Sequence, residues 1–99
     1  MSDILDDKNL EDVNGGYKEE TVVTYSFDIG DKFQDSEGFY YVAANKTTTN
    51  KYNFVYVIRN NLVTGEVFYS NCTVNTLRNM QFVGNDMEGF EAVKKIAKY

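Results

Sequence analysis

The stretch "FVYVIRNNLVTGEVFYSN", residues 54–71, decides the fold. Residues 54–59 are β-branched or aromatic at five of six positions. Such side chains pack well on a pleated, half-buried surface and favour a strand. Apolar groups fall on both faces of this strand, so it belongs inside a sheet rather than at an edge. "NNLVTG", 60–65, supplies turn chemistry in Asn60-Asn61 and Thr64-Gly65. "EVFYSN", 66–71, then returns as the antiparallel partner. The sequence predicts a 54–71 hairpin with an interior first strand.

Outward from this hairpin, "FYYVAAN", 39–45, sets Phe39, Tyr41 and Ala43 against Tyr40, Val42 and Ala44. That alternation predicts a second strand. "TVVTYSFDI", 21–29, predicts another, with Val23, Tyr25, Phe27 and Ile29 on one face. "GDKFQDSEG", 30–38, reads as a loop bounded by Gly30 and Gly38, and "KTTTNKYN", 46–53, as a polar loop. Within "CTVNTLRNMQFV", 72–83, a short helical turn is expected near 74–79 and a short strand near 80–83.

The end of the chain changes period. Met87, Phe90, Val93 and Ile96-Ala97 recur at helical spacing behind Asp86, a good N-cap. Glu88 sits in the first turn and Lys94, Lys95 and Lys98 near the last, which suits the helix dipole. A helix over 86–98 is expected, weakened by Gly89. The fold class is therefore mainly β: a small antiparallel β-barrel or rolled sheet with a short C-terminal α-helix. The order of strands and turns over residues 25–83 resembles an SH3-like barrel. That resemblance implies architecture and carries no activity with it.

Composition narrows the function classes. Ninety-nine residues make one small domain with room for a tail. There is no histidine, so the common metal ligand and the usual neutral-pH base are both missing. Thr47, Thr48, Thr49 and Ser70 carry hydroxyls with nothing to activate them. Asp31 to Glu37 places acids at positions one, five and seven of a calcium loop, but Phe33 and Ser36 break the pattern. The single cysteine, Cys72, excludes an internal disulfide. No catalytic set, metal site or cofactor is expected. No apolar run is long enough for a membrane span, and the acidic first twenty residues lack the apolar core of a Sec-type signal.

Charge divides the chain. Residues 1–20 hold seven of the fifteen acids and two of the ten bases. The eight acids and eight bases of residues 21–99 balance. A neutral body has no clustered lysines and arginines with which to grip nucleic acid. Alone, the acidic segment is too polar to offset the entropy of ordering, so a disordered tail or nascent helix is expected.

Within that segment, "LDDKNLEDVNGGY", 5–17, spaces Leu5, Leu10 and Val13 along one side of a helix that ends at Gly15-Gly16. This pattern resembles the double-glycine leader of bacteriocin-type and quorum-peptide precursors. Asn9 stands where such leaders usually carry glutamate, and the remainder is larger than a typical cargo. The resemblance covers residues 1–16. It implies a partner, the cysteine-peptidase domain of an ABC exporter, with Leu5, Leu10 and Val13 in its groove and cleavage after Gly16. Glycines have no Cβ and can thread a narrow active site. The division implied is a leader-like tail, 1–16, and a β-rich domain, 17–99, secreted after cleavage. The alternative is an intracellular adaptor with an uncleaved acidic tail, left in the cytoplasm.

Tyr40, Tyr52, Tyr56 and Tyr69 supply more aromatic area around the hairpin than a thin core needs. Tyrosine is favoured at binding surfaces. These four are the candidate surface for a peptide, glycan or protein partner.

Overall fold

The computed structural model describes residues 22–99. In chain order its elements are β1 (Tyr25–Phe27), β2 (Asp31–Asp35), β3 (Gly38–Val42), β4 (Lys46–Thr48), β5 (Phe54–Asn61), β6 (Val67–Thr73), α1 (Val74–Arg78), β7 (Gln81–Asn85) and α2 (Met87–Ile96). Five strands form an antiparallel sheet in the order β6-β5-β3-β2-β7, and β1 pairs with β4 in a separate ribbon. The chain is mainly β with a short C-terminal helix, as its pattern predicts. The barrel form of that expectation is corrected: β7 returns to β2 and does not reach β6, so the sheet stays open.

The 54–71 hairpin forms as β5 and β6, in register from Phe54↔Thr73 to Asn60↔Val67. β5 lies between β6 and β3, away from either edge. Its neighbours Val57 and Ile58 are both fully buried, and because strand side chains alternate they enter different cores. Val57 joins Phe27, Phe33, Val42, Val55, Cys72, Val74 and Leu77 under the β1–β4 ribbon and α1. Ile58 joins Tyr41, Phe90 and Val93 under α2. The sheet is thus the middle layer, with a core on each face, which is why the interior strand β5 carries apolar side chains on both sides.

The segment 30–38 departs from its expected loop. Residues 31–35 are β2, paired with both β3 and β7, and the loop shrinks to Ser36-Glu37. One apolar residue makes the difference. Phe33 is buried with its ring 5.9 Å from Phe27 and 5.2 Å from Phe82. The strand expected over 21–29 is correspondingly shorter. Asp31 donates its N–H to the Asp28 carbonyl at 3.0 Å, and Gly30 takes a φ of +92°, so the chain reverses there. Phe27 enters the first core, Ile29 packs on the second, and Val23 is left exposed. Part of the expected polar loop 46–53 also pairs, as β4.

Arg59 closes the β2–β3 turn from β5. Its buried guanidinium lies 3.3 Å from Asp35 and 3.4 Å from Glu37, and 4.4 Å over the Tyr40 ring. Asp35 also accepts the Glu37 and Gly38 N–H groups, each at 2.9 Å. The acids of this turn are therefore engaged in shaping it.

α2 begins where Asp86 accepts the Gly89 N–H at 2.8 Å. Gly89 has a use that propensity alone does not show. A Cβ there would stand 2.8 Å from the Tyr41 hydroxyl oxygen, so glycine lets the helix settle on the sheet. Lys32 ties the same end down, 3.1 Å from Asp86 and 4.2 Å over the Phe39 ring. The Gly89 N–H and then Lys32 hold the Asp86 carboxyl below its ordinary 3.8. For Lys32 burial lowers the pKa, but bonds to Asp86 and Tyr41 outweigh it and the net direction is up from 10.5.

A lowered carboxyl pKa stabilises the fold above its unfolded value and loses that contribution as pH falls through the folded value. A raised lysine pKa contributes below its unfolded value and is lost as pH rises through the folded one. The pair's contribution is full between these limits. Asp86→Asn keeps a capping side chain and removes the charge. Its melting temperature should lie below that of the wild type at about pH 6 and converge on it as the pH falls through the lowered value of the Asp86 carboxyl. A gap that persists unchanged in acid would contradict this assignment.

Leu5, Leu10, Val13, Gly15 and Gly16, together with the expected disordered tail, lie outside the described residues.

Candidate functional site

β5 and β6 carry the candidate surface because α2 covers only part of their shared face. Over the Ile58 end, Phe90 and Val93 close the core. Toward the other end the same face of β5 presents Tyr56 and Phe54, which are exposed, Phe54 by 60%. Alternation puts Phe54, Tyr56 and Ile58 on one side of the strand, and only the last is capped by the helix.

Of the four tyrosines expected to form a surface, the structure brings two together. Tyr56 and Tyr69 are diagonal neighbours across β5 and β6, and their rings stack at 5.3 Å with 19° between planes. Tyr99 extends the stack from the end of the chain, 4.6 Å from Tyr69 and nearly parallel to it. Partial desolvation, and then its hydrogen bond with Tyr99, push the Tyr69 phenol up. Tyr52 stands apart on the loop before β5, exposed, with the Lys51 ammonium 5.5 Å from its ring. Tyr40 lies on the opposite face. It packs on the first core beneath Arg59, and burial raises its phenol pKa.

Two members of the patch were missed from sequence. Phe54 reads as core because it opens the most apolar strand of the chain. Tyr99 lies one residue past the helix expected over 86–98 and drew no reading. The available signal for Phe54 was its parity with Tyr56, which assigns both to one face.

The patch is aromatic and amide-rich. Tyr52 to Ile58 and Val67 to Leu77 contain no charged residue. Asn71 and Thr73 face Tyr56 and Phe54 across the strand pair. Elsewhere a groove of about 400 Å³ lies between β1 and Phe82, floored by Phe27 and Phe33 with Arg78 at its rim. The Arg78 guanidinium sits 4.9 Å over the Tyr25 ring.

Comparison with family models, curated proteins and solved structures gives no match. Among the described residues no three His, Cys, Asp or Glu side chains gather to hold a metal ion. Burial raises the pKa of Cys72, so its thiol is held in the protonated, unreactive form. Among the described residues no helix is long and apolar enough to cross a membrane.

Proposed function

We propose that this chain is a small non-enzymatic bacterial protein with a bacteriocin-type double-glycine leader. Residues 1–16 direct export through a peptidase-containing ABC transporter, and the mature part, 17–99, is a secreted binding or signalling module. The observation that carries the binding reading is the uncharged aromatic face of β5 and β6. Phe54 and Tyr56 spend apolar area on solvent while both cores are filled by other side chains. Exposed aromatic area free of charge is the composition of an interface centre. The leader spacing of Leu5, Leu10 and Val13 before Gly15-Gly16 carries the export reading.

Co-expression with a peptidase-containing exporter tests the first half. The product should begin at Tyr17, and Gly15→Lys should leave the chain uncut. An intact chain in both cases argues for the intracellular adaptor instead. Peptide and glycan arrays probed with wild type and with Phe54→Ser/Tyr56→Ser test the second half. The double variant should lose affinity about tenfold or more for whatever the wild type retains. Equal retention by both proteins would move the surface elsewhere.

A further inference from the structure

An open sheet has two edges, and the two are treated differently. At β7 the register shifts between Lys32 and Phe33, a bulge that distorts the outer strand. Bulges are one way proteins blunt an edge. β6 has no such defence in its own sequence. Val67 to Thr73, "VFYSNCT", is regular and contains no charge and no proline. The outward backbone groups at its start, on Val67 and Tyr69, are covered by the C-terminal residues. Lys98 donates its N–H to the Val67 carbonyl at 3.0 Å, and the Lys98 carbonyl accepts the Tyr69 N–H at 2.7 Å. These two bonds make a parallel bridge between Lys98 and Phe68, and the Tyr99–Tyr69 ring stack fastens it.

We propose that β6 is a latent strand-pairing edge, closed by a strap formed by Ala97 to Tyr99, and that its occupant when the strap lifts is β6 of a second copy. The alternation of β6 decides the geometry. Phe68, Ser70 and Cys72 pair inward with Arg59, Val57 and Val55. Val67, Tyr69, Asn71 and Thr73 turn their backbone groups outward, as the strap bonds to Val67 and Tyr69 show. An antiparallel twofold centred on Ser70 sets Tyr69 opposite Asn71 and Val67 opposite Thr73, so every outward residue finds an outward partner. No like charges meet, because the strand has none. The same strand cannot hold the strap and a second copy together, since both use the Val67 carbonyl and the Tyr69 N–H. Self-association and strap closure are thus mutually exclusive states of one edge.

Lys98→Pro tests this in the full chain. It deletes the N–H given to Val67 and leaves α2 intact. Ala97 already has φ −67° and ψ 140°, the extended conformation that a following proline requires. Sedimentation should show the wild type as a monomer and Lys98→Pro with doubled mass, its association constant raised about tenfold or more. A second variant, Lys98→Pro with Asn71→Lys, places a charge on the edge and should return the protein to monomer. A strapless variant that stays monomeric overturns the proposal. So does association that the edge lysine fails to suppress, or a wild type that pairs through β6 with its strap in place. The readout is mass, so it is independent of whether the aromatic face binds a ligand.

Discussion

Gly38→Val should destabilise the fold by about 3 kcal/mol or more, through overpacking joined to backbone strain. Gly38 opens β3 with a φ of +154°, and its buried Cα lies against the facing strand. A Cβ there would collide with the Asn60 carbonyl oxygen and stand 3.0 Å from the Leu62 nitrogen. Both obstacles are backbone atoms of the central hairpin, so neither can rotate aside. The β2–β3 turn cannot shift either, because Asp35 holds the Glu37 and Gly38 N–H groups and is itself held by Arg59. Gly65 provides the control. Its φ is +80°, but no heavy atom lies within 4 Å of the position a Cβ would take. Gly65→Ala should therefore cost only about 1 kcal/mol, the conformational part alone. Urea unfolding of the two variants measures the difference directly. Similar midpoints would show that the close approach at Gly38 is not what limits the site.

The second large effect separates two residues on one face of one strand. Ile58→Ala should cost about 3–4 kcal/mol, and Phe54→Ala less than about 1 kcal/mol. Ile58 is fully buried against Tyr41, Phe90 and Val93, and its truncation leaves a cavity that sheet and helix cannot both follow inward. Phe54 is the larger side chain, yet 60% of it faces solvent. A domain this small has a total stability of about 5–10 kcal/mol, so the Ile58 change would use a large part of it. Thermal melts resolve the contrast. A Phe54 variant as damaged as the Ile58 variant would mean that the aromatic face is a third core, and the binding reading would lose its support.

The strap makes a related point about α2. Helix and strap are continuous in sequence, but they stabilise different things. α2 is fixed by Phe90 and Val93 in the second core and by the Asp86–Lys32 pair at its start. Beyond Ala97, which packs at the rim of the second core, the strap is fixed by two backbone bonds and the contact of Tyr99 with Tyr69. Local opening of so lightly held a segment needs far less free energy than opening the sheet. The edge can therefore be uncovered without unfolding the domain.

Much of the architecture was legible in order. The alternation of 39–45 and 54–59, the Thr64-Gly65 turn and the Asp86 cap are local signals, and each marks an element that the structure contains. β2 was not legible, because "DKFQD" has a single apolar residue and its acids look like loop chemistry. Phe33 becomes a strand residue only when Phe27 and Phe82, six residues before it and forty-nine after, arrive on either side. Tyr40 and Tyr56 look equivalent in the sequence. They part because pairing Tyr40 with Arg59 and Tyr56 with Asn71 puts one above a buried cation and the other beyond the end of α2.

By itself the sequence determined the predominance of strands, the interior hairpin, the terminal helix and the concentration of acidic charge in residues 1–20, because periodicity, capping and charge are properties of neighbours along the chain. Only the tertiary structure decided that the sheet stays open, which aromatic side chains are left in solvent, and that the last three residues close an edge. Those outcomes depend on which distant strand supplies the missing backbone partner, and hydrogen-bonding groups that every residue carries alike leave no trace in residue type.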